Sequence, residues 1–298
     1  GPSVVPSWGE VFGPHDRRLA ARMLRKEFTV ARKVPRASAY LSGLGLSELY
    51  LNGKKVGADV LSPALTEYPK RVFYVTHDVT AQIKRGANAL GVWPGNGRFY
   101  APRATVPTGT SSFGFPKLLL QLEVDYADGT RETIVSDTSW KLTTDGPILA
   151  NNEYDGEEYD ARKEMPGWAK EGFDDSTWAA AQLVHAPTFN PDSAKTPVFG
   201  GDQPVLGSLF YSAAGPLSAQ MQEPIRVTDT LKPLAITEPK PGVFIYDLGQ
   251  NMVGWGRLKL RGPAGTQVTL RFAETCKADG SLYLDNIRGA KVSDVYTL

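Results

Sequence analysis

Apolar and polar residues alternate along most of this chain, and sustained 3.6-residue periodicity is almost absent. In "ASAYLSGLGLSELYLNGKKVG" (37–57), Leu49, Tyr50 and Leu51 run into Asn52-Gly53. That pair is a two-residue hairpin signal, because both residues tolerate positive φ, and Val56 begins the return strand. "RVFYVTHDVT" (71–80) predicts a strand with Val72, Tyr74 and Thr76 on one face and Phe73 and Val75 on the other. Asp78 or Thr80 then caps one short helical turn ending near Gly86, and "NALGVW" (88–93) predicts an apolar strand. In 117–137, Leu118, Leu120, Leu122 and Val124 share a face, and Asp128-Gly129 makes a second hairpin. "TSWKL" (138–142) adds a strand.

The pattern breaks at "VHAPTFNPDSAKTPVFGGDQPVLG" (184–207), rich in Pro, Gly and small polar residues, which predicts a linker or long inter-domain loop. Alternation resumes in 242–250, 255–274 and 280–286, with a turn at 263–265 between two alternating strands. The fold class is therefore all-β, with two β-sandwich (jelly-roll-like) domains. An N-terminal extension at 1–20 precedes a first sandwich at 21–185. A linker at 186–225 leads to a second sandwich at 226–298, truncated at its C-terminus. "DVYTL" ends the chain with high strand propensity, so 280–298 is expected either to be poorly ordered or to find a compensating contact.

Composition narrows the function classes. The 298 residues carry 30 glycines and 22 prolines, in keeping with many turns, and a net charge of +1. Balanced charge removes the electrostatic footprint of a nucleic-acid or membrane-surface protein, and no apolar run approaches the ~20 residues of a membrane helix. The single cysteine, Cys276, excludes an intrachain disulfide and reads as a partly exposed spectator thiol. No signal peptide is legible, which leaves cytoplasmic, periplasmic and secreted locations open. His15, His77 and His185 show no metal-ligand spacing, and neither a nucleophile elbow nor a Walker A loop is present.

Two stretches hold candidate chemistry. "NNEYDGEEYDAR" (151–162) packs Glu153, Asp155, Glu157, Glu158 and Asp160 between two asparagines and Arg162. Counted as an EF-hand, Asn151, Glu153, Asp155 and Gly156 fit, but Arg162 occupies the twelfth position where a bidentate carboxylate belongs, which excludes that motif. A looser calcium cage with oxygens from other loops stays open. Glycoside hydrolysis needs carboxyls facing each other across a sugar, about 5–9.5 Å apart. Residues 153, 155 and 157 on one strand would lie about 6.6 Å apart on a single face, an arrangement that cannot flank a substrate. Ordinary solvated charges, with Arg162 pairing one of them, are the plain alternative. The second stretch, "GVWPGNGRFY" (91–100), sets Trp93, Phe99 and Tyr100 beside Asn96 and Arg98. Such aromatic faces with amide and guanidinium donors hold sugars, while Trp93 and Phe99 serve equally well as core around an Asn96-Gly97 turn.

The blocks "GLSELYLNGKKVGADVLSPALTEYPKRVFYVTHDVT", "NALGVWPGNGRFY", "NNEYDGEEYDAR…GW…GFDDSTW" and "YDLGQNMVGWGRLKLRGPAGTQVTLRFAE…DG…DVYTL" occur in this order from about residue 20 to the end. Together they resemble the N-terminal half of bacterial α-L-rhamnosidases of glycoside hydrolase family 78. The resemblance implies a first sandwich like a carbohydrate-binding module, then a second sandwich. A catalytic (α/α)6 barrel, an inverting glycosidase with two glutamates, follows in the family and is missing from this chain. The chain alone is then expected to be inactive, to support that barrel as its partner and to meet rhamnose-containing carbohydrate. It needs no cofactor, with Ca2+ in the first sandwich as an optional ion, and it has no nucleic-acid or membrane partner. The implied neighbourhood makes Trp93, Asn96, Arg98, Phe99, Tyr100 and Tyr154 candidate carbohydrate contacts. Asn152, Asp155, Glu157 and Asp160 become candidate calcium ligands, and Asp247, Gln250 and Asn251 a candidate interface with the barrel. Family loops commonly read Gly-Asn-Gly-Trp-Tyr, whereas Arg98 follows Gly97 here, a departure that bears on stacking. "GFDDSTW" (172–178) implies a turn closing the first sandwich over a buried Trp178.

Overall fold

Cross-strand pairing converts the alternation into two facing sheets. The computed structural model describes residues 19–68, 70–101, 115–184, 215–287 and 290–298. The strands of the first sandwich are β1 (Met23–Val30), β2 (Arg36–Leu44), β3 (Leu46–Leu51), β4 (Lys54–Lys55), β5 (Val72–Asp78), β6 (Gly86–Gly95), β7 (Lys117–Asp125), β8 (Arg131–Val135) and β9 (Lys141–Thr143). They are followed by the hairpin β10 (Ile148–Asn152) and β11 (Gly156–Asp160), by β12 (Ala179–Ala180) and by β13 (Leu217–Ala219). One sheet runs β12-β9-β1-β6-β3-β4 and the other β13-β5-β2-β7-β8. Their inner faces share one core. Val30, Leu49, Leu51, Leu90 and Val92 come from the first sheet, and Ala39, Leu41, Leu120, Leu122 and Val124 from the second. The period-two register of β7 explains the division, since Leu120, Leu122 and Val124 are buried while Leu119 and Gln121 face out.

The Asn52-Gly53 turn forms as expected, both residues taking positive φ (52° and 79°). The Asn52 side chain fastens it, donating to Gln82 O and Asn88 Oδ1 and accepting from the Ala89 N–H. After β5, Val79 O accepts from the N–H groups of Gln82 and Ile83 in one helical turn, with Asp78 Oδ1 capping the Thr80 N–H.

Three expected strands come out differently. In 138–142 only the end pairs, within β9, because Trp140 leaves the strand direction to place its ring in the core, where Nε1 donates to Val135 O at 2.9 Å. The arm 255–262 pairs with nothing among the described residues, and a strand without a neighbour has no ladder to hold it. Residues 280–286 contribute a single Cys276–Leu282 bridge and a 3-10 turn at Asp285–Ile287. Cys276 is exposed. The linker expected at 186–225 falls outside the described residues up to 214, as does the extension up to residue 18.

Beyond the sandwich lie β14 (Ala235–Lys240), paired with β15 (Val243–Asp247), and then β16 (Gln267–Arg271) and β17 (Ser293–Thr297). β16 and β17 join the acidic hairpin in a mixed sheet ordered β10-β11-β17-β16, in which β11 and β17 run parallel. This pairing is the compensating contact at the C-terminal strand.

Candidate functional site

The two stretches singled out by chemistry meet at one end of the first sandwich. The N–H of Asn96 donates to Asn151 Oδ1 at 2.7 Å, and Asn96 Nδ2 donates to Asn151 O at 2.9 Å and to Leu19 O. The Glu153 N–H reaches Gly97 O at 3.3 Å. Arg98 pairs with Glu153 at 3.4 Å, and its guanidinium lies 5.6 Å from the Tyr154 ring centre. Asn96 is 1% exposed, and both its Oδ1 and the Asn151 Nδ2 are buried without a hydrogen-bond partner.

The aromatics of the 91–100 loop divide between roles. Phe99 is fully buried, edge-on to Tyr68 at 4.9 Å and capped by Lys117 Nζ at 5.7 Å, so its faces are not offered to a ligand. Tyr100 is also buried and stacks on Phe115 at 5.5 Å. Burial raises the Tyr68 hydroxyl to about 12. Trp93 follows core residue Val92 and so points to the opposite face of its sheet, toward Trp168 at 5.9 Å. Its Nε1 is buried without a partner. Arg98 and Tyr154 remain partly exposed at the Asn96–Asn151 junction.

The acidic hairpin spends its polar groups on itself and on β17. Asn152 Oδ1 accepts from the N–H groups of Tyr154 and Asp155, and its Nδ2 donates to Asp155 Oδ2 at 2.8 Å, which makes the turn. Asp160 accepts from Arg162 Nε at 2.8 Å and Nη2 at 2.7 Å, and the Arg162 hydrogen bond is the main reason its carboxyl falls to about 2. The Glu157 N–H donates to Asp294 Oδ1 at 2.9 Å, while Lys291 Nζ reaches Glu158 Oε1 at 3.3 Å. The Glu157 carboxyl rises to about 7, first through burial and then through Asp294 and Glu48. Burial also raises Asp294. Asn152, Asp155, Glu157 and Asp160 therefore serve three separate local arrangements and do not fit one calcium cage. Among the described residues no group of three or more His, Cys, Asp or Glu side chains is placed to hold a metal.

Asp247 closes the end of β15, its Oδ1 accepting from the Gly249 N–H at 2.8 Å. Gln250 and Asn251 are exposed beside it. Sequence reasoning missed Arg25, whose buried guanidinium pins the segment after the hairpin across the outer face of the six-stranded sheet. It donates to the carbonyls of Trp168 (2.9 Å) and Lys170 (2.8 Å) and pairs with Asp175 and Glu27. Trp178 is buried in this cover, as the "GFDDSTW" turn implied. Arg25 opens the charged run Arg25-Lys26-Glu27, and nothing in the sequence separates it from ordinary surface charge.

Residues 32–229 match the family described as "Alpha-L-rhamnosidase N-terminal domain". The chain belongs to the α-L-rhamnosidase family. Residues 237–298 match the "Bacterial alpha-L-rhamnosidase concanavalin-like domain". An α-L-rhamnosidase of Streptomyces avermitilis is 43% identical over 99% of this family member, which covers 26% of that enzyme. The solved α-L-rhamnosidase of Dictyoglumus thermophilum superposes with a TM-score of 0.78 at 41% identity, covering 94% of this chain and 28% of its own. The Streptomyces avermitilis enzyme solved with L-rhamnose gives a TM-score of 0.76 at 41% identity, covering 97% and 26%. The chain thus spans about a quarter of the length of the rhamnosidases it matches.

Proposed function

We propose that this chain is a non-catalytic, N-terminal segment of an α-L-rhamnosidase. The parent enzyme would remove terminal α-L-rhamnosyl residues by inversion, and the segment would support its catalytic barrel and hold carbohydrate. The observation that carries this reading is the match to the N-terminal domain of rhamnosidases, of whose length the chain covers about a quarter. Glu157 and Asp294 adjoin each other within one sheet, on neighbouring strands. Inversion requires two carboxyls about 6.5–9.5 Å apart with a sugar and a water between them.

The division at 21–185, 186–225 and 226–298 is part of the same proposal. Support for a barrel-facing surface comes from Leu234, Ile236 and Phe244, exposed on or beside the β14–β15 hairpin that Asp247 closes. Exposed apolar side chains grouped on one hairpin suit an interface. Carbohydrate would enter at the Asn96–Asn151 junction, beside Arg98 and Tyr154. A lectin-like, stand-alone role is the second reading, favoured by the orphaned Asn96 Oδ1, which could accept a sugar hydroxyl or face a cation. An aryl α-L-rhamnoside assay tests the first claim, and turnover that survives further purification would overturn it. Calorimetry with L-rhamnose, with and without Ca2+, tests the second. Heat lost on chelation indicates a calcium-linked site, and no heat leaves a scaffold.

A further inference from the structure

The first sandwich meets the end of the chain along a short seam rich in carboxylates. β11 lies within the residues that match the N-terminal domain, and β17 within those that match the concanavalin-like domain. Their parallel register covers three residue pairs, Glu158–Val295, Tyr159–Tyr296 and Asp160–Thr297. The turn before β11 extends the contact, because Tyr154 O and Asp155 O accept from the N–H groups of Val292 and Ser293. The Tyr159 and Tyr296 rings lie 5.7 Å apart.

The two faces of this seam carry different partners, since successive residues of a strand point to opposite sides. On one face Glu158 meets a cation, Lys291, at 3.3 Å. On the other, Glu157 meets acids: Asp294 beside it on β17 and Glu48 on β3. The Tyr159 and Tyr296 hydroxyls also feel its charge. Glu48 is itself held by Lys55 of β4 and by the Tyr50 hydroxyl, so Lys55 is engaged there. Asn152 bonds Asp155 and Arg162 bonds Asp160, which keeps those two acids in arrangements of their own. Among the described residues no cation pairs with Glu157 or Asp294.

Like charges repel more strongly in a half-buried seam than in water. We propose that this seam is a proton-operated latch between the two domains. It is closed while Glu157 carries a proton. It opens when Glu157 and Asp294 are both ionised, releasing the β16–β17 hairpin while the first sandwich stays folded. That independence follows from the core of the sandwich, to which neither β16 nor β17 contributes a residue. Burial, then Asp294 and Glu48, raise the Glu157 carboxyl to about 7, and burial raises Asp294. A raised value in the closed state means that the closed latch binds the proton more tightly than the open one. Closure is therefore fully favoured below about pH 4.5 and is lost as pH rises through about 7. Between those limits one such group lowers the closed-to-open ratio by up to about tenfold per pH unit.

Hydrogen exchange read by mass spectrometry on the full chain tests the latch, with each segment's protection taken relative to the intrinsic exchange rate at that pH. Protection over 153–160 and 290–298 should fall by at least about tenfold between pH 5.5 and 8. The β7 segment 118–125 should keep its protection throughout, because the first sandwich stays closed. Glu157→Gln removes the titrating proton and should hold both seam segments at their pH 5.5 protection up to pH 8. Asp294→Asn retains a side-chain oxygen for the Glu157 N–H but not the charge, and should flatten the pH dependence. Seam protection that does not change with pH would overturn the proposal, as would a Glu157→Gln chain that still loses it. An unchanged slope in Asp294→Asn would do the same. Loss over 118–125 in step with the seam would show unfolding of the whole chain and no latch.

Discussion

Asp294 accepts the backbone N–H of Glu157 at 2.9 Å across 137 residues of sequence. This contact joins the acidic hairpin of the first sandwich to the last strand of the chain, and it places two acids side by side where water is scarce.

That proximity sets a pH dependence. The Glu157 carboxyl sits at about 7 in the folded chain, against an ordinary 4.5. A raised folded value means that the folded state holds its proton more tightly than the unfolded one. The contribution is therefore fully present below about pH 4.5 and is lost as pH rises through about 7, on the order of 3 kcal/mol. His77 acts in the opposite sense, since burial lowers its imidazole and stability from it falls as pH drops. Comparison of variants isolates the acid: melting temperatures of Glu157→Gln and the parent chain, taken from pH 5 to 8, should diverge in favour of the variant as pH rises. A constant difference would show that Glu157 is not the source.

Gly156 holds φ of +94°, and a Cβ there would run into the Ser293 carbonyl. Gly156→Ala should cost about 1–3 kcal/mol and release β17 from β11, seen as protease cleavage near 290. Gly129→Ala shares the positive φ but meets open space, so it should cost less. Equal costs would mean that the Ser293 approach is unimportant.

Arg25→Met should be more damaging than its exchange of charge for volume suggests. It strands Asp175 and the carbonyls of Trp168 and Lys170, at about 3–5 kcal/mol. Arg25→Lys keeps the charge but loses the fork, and should fall between. Proteolysis within 161–184 reports the undocking, and a resistant Arg25→Met chain would remove Arg25 from that role.

Trp140 is fully buried. Trp140→Ala should cost about 3–5 kcal/mol in denaturant unfolding, and Trp140→Phe less, since it keeps most of the packing but not the bond to Val135 O. A loss below 1 kcal/mol for the alanine variant would place the centre of the core elsewhere.

The sandwich was legible because β7 and the Asn52-Gly53 hairpin are stabilised by neighbours close in sequence and by a one-sided core. The partial failures share a cause. Lys259 and Arg261 alternate with Leu258 and Leu260 as a strand should, yet no neighbour exists for them among the described residues, and alternation does not specify a partner. Trp140 shows the converse, since packing of one large ring overrode the strand direction. In the candidate site, the Asn96 loop and the acidic hairpin were each visible as unusual composition. Their union through Asn151, and the burial of Phe99, depend on side-chain contacts that spacing does not encode. Arg25 looks like any other arginine in the sequence, and only the carboxylates and carbonyls around it reveal its role.

The parallel register of β11 with β17 also orders assembly in time. The facing sheets of the first sandwich take their main strands from before residue 144, so they can close while later residues are still emerging from the ribosome. The hairpin at 148–160 must wait with one edge unpaired until 293–297 arrives, a long loop closure that slows folding. During that interval its closely spaced carboxylates are an asset, because like charges on an open edge discourage it from joining the wrong chain.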